Sequence, residues 1–286
     1  MNTLWTSEPF SGRNLVIATR HGKEKVIAPL LSQALGVKCQ VPLDLDTDSI
    51  GTFTGEVERK SDALTSAREK CLMAMQFSQC DLAIASEGSF GAHPAICFIP
   101  ANEEIILLKD RMNGIEIIGS ELSMDTNFAG TSICNTKQLE EFALNSGFPS
   151  HGLIVRKSSQ EPMDVFKGIT DWKVLHASLC FLMEKYGCAY VETDMRAMFN
   201  PTRMNVIERA VQRLIKKIRL QCPQCHCPGF GVVDLTFGLP CACCKTPTRS
   251  IVSEIHQCQQ CLFTKEIDYP SSKFWEDPCY CDQCNP

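Results

Sequence analysis

The sequence predicts an α/β fold, a mixed sheet flanked by helices, followed by a small cysteine-rich double zinc ribbon. Strand-like and helix-like segments alternate over the first 220 residues, and apolar positions recur at helical spacing in the longer ones. Eleven of the 18 cysteines fall between Cys222 and Cys284, which sets a boundary near Leu220 and predicts domains 1–220 and 221–286.

Leu15 to Ala18 is a short apolar run and reads as the first strand. A helical pattern covers Glu24 to Leu35, with Gly36 as its stop. Val37 to Val41 reads as the next strand, Asp44 to Gly55 as a polar loop, and Asp62 to Phe77 as a second helix with Ala63, Ala67, Cys71 and Ala74 on one side. Leu82 to Ala85 reads as a strand closed by a loop from Glu87 to Gly91. Strand-like runs follow at Ala95 to Ile99, Glu104 to Leu108 and Ile115 to Ile118. Pro100 to Asn102 and Met112 to Gly114 separate them, and the Asn113-Gly114 pair signals a hairpin. Lys137 to Asn145 is helical and stopped by Gly147, Leu153 to Val155 is a strand, and Asp171 to Tyr186 is a helix ending at Gly187. After a strand at Ala189 to Val191 comes the clearest helix, Pro201 to Leu220. Asn200 is its N-cap, and proline suits the first helical position. Val206, Ile207, Ala210, Val211, Leu214, Ile215 and Ile218 form one apolar stripe, and the basic residues around it read as a solvated face.

No stretch approaches the ~20 apolar residues that span a bilayer. Met1 to Gly12 has neither the basic start nor the apolar run of a secretory signal. The expected compartment is cytoplasmic, where thiols stay reduced. The seven cysteines from Cys39 to Cys188 read as small buried hydrophobes.

Four knuckles are visible in the tail: Cys222 and Cys225, Cys241 and Cys244, Cys258 and Cys261, Cys281 and Cys284. Two intervening residues let both thiolates face one ion, and zinc takes four such ligands, so four knuckles predict two structural zinc ions. Sequential pairing of the knuckles suits short hairpins between them; nested and cross-braced orders are the alternatives. From Gln221 onward there are four basic and seven acidic residues, without the Lys/Arg cluster that neutralises phosphates. Nucleic acid is therefore not the expected partner, and a protein partner at the ribbons suits the charge better.

Three loops following expected strands gather chemistry-bearing residues. Thr19, His21 and Lys23 precede a helix, a setting suited to an anion. Glu87 closes the third strand, and Glu192 and Asp194, two apart, share a strand face. With parallel strands these loops meet at the carboxyl edge of the sheet, where open α/β folds bind ligands. Glu87 and Asp194 would then be the catalytic carboxylates, holding Mg²⁺ with Glu192, while Arg196 and Arg203 clamp a phosphate.

Two resemblances accompany these readings. Thr193 to Met204, Cys222 to Cys225, Pro228 to Gly231 and Gly238 to Cys241 resemble an uncharacterised bacterial family that pairs an α/β domain with a double zinc-ribbon tail. The segments Ala18 to Lys25 and Ala85 to Gly91 are similar to loops of the inosine triphosphate pyrophosphatase group, with His21 at that group's asparagine and Glu24 at its lysine. The first resemblance implies the architecture and no activity; the sheet-edge residues, with the second resemblance, make a Mg²⁺-dependent hydrolase of a nucleotide or other phosphate ester the expected activity. The rival expectation is a non-catalytic adaptor that docks proteins through its ribbons.

Overall fold

The computed structural model describes residues 8–19, 21–42, 45, 62–159, 161 and 163–286. They separate into two compact units, one built from Phe10–Asn113 and Ile118–Ile215, the other from the described part of Met1–Pro9 with Gly114–Ile117 and Lys216–Pro286. Of the polar loop expected over Asp44 to Gly55, only Leu45 is among the described residues. No described helix is long and apolar enough to cross a membrane.

The α/β unit begins with β1 (Asn14–Ala18), α1 (Glu24–Leu35), β2 (Lys38–Gln40), α2 (Ala63–Ser78), β3 (Leu82–Ala92), β4 (Pro100–Asp110) and β5 (Ile115–Ser123). Local chemistry sets the helix ends. Gly36 adopts φ 66° and returns its N–H to Ser32, stopping α1, while the Asp62 carboxylate caps α2 at the amides of Leu64 and Thr65.

The strand order is β2-β1-β3-β4-β5, with β1 parallel to both neighbours and β3 antiparallel to β4. From β1 the chain moves outward to β2, then crosses back to β3. Right-handed crossovers therefore place α1 and α2 on opposite faces, and the winding reverses between β1 and β3. That reversal opens a crevice at the strands' carboxyl ends.

Ala67, Cys71, Ala74 and Met75 of α2 pack on Val16, Ala18, Ala83, Ala85 and Leu107. On β5, Gly119 admits the helix α5 (Pro201–Arg219), since a Cβ there would lie 2.5 Å from the Ala210 carbonyl oxygen and 2.6 Å from the Leu214 nitrogen.

The rest of this unit is a second sheet. It contains β6 (Gly130–Ile133), β7 (Leu153–Arg156), β8 (Phe166–Ile169) and β9 (Ala189–Thr193), in the order β6-β9-β7-β8 and antiparallel throughout. Its inner face, with Ile133, Leu153, Val155, Ile169, Ala189 and Val191, packs on two helices: α3 (Thr136–Asn145) through Leu139 and Ala143, and α4 (Trp172–Tyr186) through Leu175, Leu179 and Leu182. The remaining unit carries β10 (Gly231–Phe237), β11 (Ile251–Gln257) and β12 (Thr264–Asp268), an antiparallel sheet in chain order.

Finer expectations within this fold are corrected. The expected α/β fold with a mixed sheet flanked by helices is present, but a second, antiparallel sheet accompanies it and contains β9, so Asp194 does not follow a strand parallel to β1. The segment Glu87 to Gly91 is the interior of β3, not a loop. Its eleven residues pair with β4 from Leu82–Asp110 to Ala92–Pro100, and that ladder also takes Pro100 to Asn102 into β4. Ala95 to Ile99 is a turn, closed by the His93 amide on the Ile99 carbonyl. Cys71 and Cys80 are buried as expected, but Cys97, Cys134 and Cys180 are exposed.

The approach of α5 predicts a contrast between two glycines. Gly119→Ala forces backbone apart and should cost about 1–3 kcal/mol. Gly91→Ala, with open space for its Cβ, should stay within about 0.5 kcal/mol. Urea unfolding of both variants checks this.

Candidate metal centres and a buried charge cluster

Each of the first three knuckles repeats one backbone device. The first cysteine amide bonds to the carbonyl five residues on: Cys222 to Cys227, Cys241 to Thr246 and Cys258 to Phe263, all at 2.9 Å. The amides of Gln224, Cys243 and Gln260 donate to the first sulfur at 3.4 Å. His226, Lys245 and Leu262, just after the second cysteine, take φ of 61°, 66° and 60°. These tight turns aim both sulfurs of a knuckle to one side.

The sulfurs gather into two groups, Cys222, Cys225, Cys258 and Cys261, and Cys241, Cys244, Cys281 and Cys284, each with all atoms within 4.8 Å of one another. Contacts between knuckles are 3.6 and 3.6 Å in the first and 3.8 and 3.5 Å in the second. Zinc–sulfur bonds of about 2.3 Å give a tetrahedron with edges of about 3.8 Å, so each group could hold a zinc ion. With four thiolate donors no position is left for a reacting water, which is the chemistry of a structural site. Burial pushes the Cys225 thiol up to about 12, so it is protonated at neutral pH until a metal displaces the proton.

The favoured sequential pairing is overturned in favour of the cross-braced order. The three strands run antiparallel, so successive knuckles fall at alternate ends of the sheet. Joining the first to the second would have to bridge β10, about 23 Å for seven residues. From Gln221 onward, the buried apolar residues are Cys222, Cys225, Cys227, Phe230, Leu239, Cys241, Cys258 and Cys281. Six of these eight are cysteines, so the module's interior is largely its candidate ligands.

A second constellation lies in the α/β unit, at the end of β1. Ala18 is in register with Ala85, which puts the following loop beside Ser86. Lys23 is buried there and donates from Nζ to the Ser86 carbonyl at 2.9 Å and to its Oγ at 3.2 Å. Burial, with the Arg203 charge adding, pulls the Lys23 ammonium down to about 8, against the opposing pull of Glu104 and Glu87. Glu87 points to the α2 face and is ion-paired with Lys70. On the opposite face Arg203 donates from Nε to Glu104 at 2.7 Å, and both side chains are fully buried. Gly88 makes room for this pair, since a Cβ there would lie 2.7 Å from an Arg203 nitrogen. The Thr19 hydroxyl and both polar atoms of the Asn102 amide are buried without a partner among the described residues.

The structure thus brings together Thr19, Lys23, Glu87 and Arg203 of the expected site, with His21 half-buried in the same loop. Asp194, Arg196 and Glu192 are committed elsewhere. Asp194 accepts from the Gly168 amide at 3.0 Å and from the amide and Nε of Arg196 at 3.1 and 3.0 Å. Glu192 pairs with Arg156 at 3.0 Å. The segment after Asp194 still meets the first loop. A cavity of about 290 Å³ there is lined by Gly22, Lys25, Ala197, Met198, Pro201, Met204 and Asn205. Sequence reasoning missed Lys70, Ser86, Asn102 and Glu104. They lie within a helix or the long β3–β4 ladder, and only pairing across strands shows that they converge.

Residues 70–286 match the family model described as a domain of unknown function, DUF6671, so the chain belongs to that family. The matched region takes in all eight candidate zinc ligands together with Glu87, Glu104 and Arg203. No curated protein matches the chain.

Two measurements test these sites. Elemental analysis should give about two zinc per chain. Cys225→Ser and Cys258→Ser, singly or together, should each leave about one, whereas Cys225→Ser with Cys244→Ser should leave none. Sequential pairing would instead make the Cys225 and Cys258 losses additive. Asp194→Ala strands the Arg196 charge and the Gly168 amide, and should cost about 3 kcal/mol in urea unfolding.

Proposed function

We propose that this DUF6671 protein binds a nucleotide or similar phosphate ester in the crevice between β1 and β3 and hydrolyses it, with the zinc ribbons as a separate structural module. The observation that carries this reading is Lys23, a buried ammonium at the point where the sheet reverses its winding. Lys23, Lys70 and Arg203 outnumber Glu87 and Glu104, so with Lys23 protonated the cluster holds one surplus positive charge. A buried surplus charge is costly, and an anionic ligand relieves it. The N-termini of α1 and α5 border the neighbouring cavity, and both favour negative charge.

A bound phosphate would meet Lys23 first, with Thr19 as a hydroxyl donor. Lys23 and Arg203 would stabilise charge on the phosphoryl oxygens. The attacking water would lose its proton to solvent, the P–O ester bond would break, and the leaving oxygen would be protonated from solvent, while Glu87 stays paired with Lys70 on the other face of the sheet. Glu87 and Glu104 each already have a cationic partner, and they lie on opposite faces of the sheet. Such an arrangement does not fit the Mg²⁺ site expected from the sequence, and the step proceeds on the protein's own cations. Asp194 and Arg196 are assigned a positioning role, holding the 194–200 segment against the first loop.

The test is a panel of nucleoside triphosphates and other phosphate esters, with and without Mg²⁺, read by phosphate release and by calorimetric binding. Lys23→Met should lower turnover about 100-fold or more while keeping the melting temperature, because it removes a buried charge. Affinity should be full below pH 8 and fall as pH rises through about 8, where Lys23 loses its proton. If no panel member binds or turns over, or if Lys23→Met changes neither, the reading is wrong.

A further inference from the structure

We propose that β10 is a docking edge that takes an extended basic and apolar segment of a partner protein as an added strand of the ribbon sheet. The two edges of that sheet differ. β12, at one side, carries Lys265, Glu266 and Asp268 over five residues, the charged pattern that keeps an edge from pairing. β10, at the other side, reads Gly-Val-Val-Asp-Leu-Thr-Phe, and among the described residues no strand pairs with its outer edge. Val232, Val233 and Phe237 are 47%, 58% and 59% exposed, an apolar set on an edge whose pairing with β11 shifts register at Val232/Asp234 and Thr236/Phe237.

Three further observations define the occupant. The cysteine groups bracket β10, with Cys225 before it and Cys241 after it. The strand is therefore held extended in advance, which lowers the cost of ordering a partner on it. Beside its Phe237 end a cavity of about 600 Å³ is lined by Phe237, Leu239, Ile251 and Pro270, with Glu254, Glu276, Arg249 and Lys273 on its wall, so its charges balance and its apolar part is what an incoming side chain would meet. This space suits an apolar side chain carried by the incoming strand.

Charge then selects among partners. The residues from Gln221 onward carry seven acidic and four basic side chains, and Asp234 sits exposed at the middle of β10. A second copy pairing antiparallel about the strand centre would oppose Asp234 with Asp234, which is destabilising. A lysine or arginine opposite Asp234 is favourable. The geometry accordingly fits β-augmentation by a heterologous segment.

The experiment uses full-length, zinc-loaded, ¹⁵N-labelled protein titrated with blocked heptapeptides of alternating valine and threonine. The central residue is lysine in one peptide and glutamate in the other. The lysine peptide should perturb the β10 amides, slow their hydrogen exchange and bind about threefold tighter than the glutamate peptide. Asp234→Lys should invert that preference, with two zinc per chain confirming that the variant is folded. The proposal is overturned if neither peptide at millimolar concentration perturbs β10, or if Asp234→Lys leaves the preference unchanged. Sedimentation showing a dimer that shields β10 would equally overturn it, in favour of a second copy as occupant.

Discussion

The α/β unit depends on one buried ion pair. Arg203, on the first turn of α5, reaches Glu104 on β4 and also donates to the Met195 carbonyl, just beyond β9. One side chain thereby ties the first sheet, the long helix and the exit of the second sheet to a common point. Burying two charges repays its desolvation cost only when geometry is good and the remaining donors are satisfied. Here the Asn200 side chain caps the Arg203 amide, and the guanidinium lies 5.1 Å from the Phe90 ring centroid. The glycine at position 88 keeps the strand surface open where the two charges meet.

The ribbon module meets a different constraint by different means. A segment of some 65 residues buries too little apolar surface to fold on hydrophobic contact alone, and such modules rely on metals or disulfides. With few buried side chains other than cysteine, zinc held by the two cysteine groups would supply much of the folding free energy. The antiparallel strands then dictate which thiolates share an ion. Zinc chemistry sets the number of ligands, and strand direction sets their partners.

This division explains what could be read from the chain. α1 starts and stops at the residues expected, because Gly36 is a local signal and the apolar spacing is unbroken. The Asn200 cap was legible too, and the helices read from Asp62 and Asp171 begin one residue later with those residues as caps, since in each a side chain bonds to amides two or three residues away. The four knuckles were legible for the same reason, since each is a device of about six residues. Pairing was not legible, because it depends on strands that lie between the knuckles. Glu87 to Gly91 misled for a related reason: two glycines and a serine look like a loop until β4 supplies eleven partners. β6 and β8, four residues each, carry too little pattern to stand out.

The placement of charge also separates a structural reading of the crevice from a functional one. Arg203 with Glu104, and Lys70 with Glu87, are complete pairs, and a fold could keep them for specificity alone. Lys23 differs, because its bonds to Ser86 are to neutral oxygens and no carboxylate is left for it within the cluster. Methionine would fill similar volume at that position without the desolvation penalty. A fold gains nothing evident from a lysine there, in the same loop as a Thr19 hydroxyl that lacks a partner among the described residues. An ammonium bonded only to neutral oxygens and a buried hydroxyl without a partner among the described residues, at the winding reversal between β1 and β3, are what a ligand of opposite charge and several acceptor oxygens would satisfy together. A phosphate group has that charge and those acceptors.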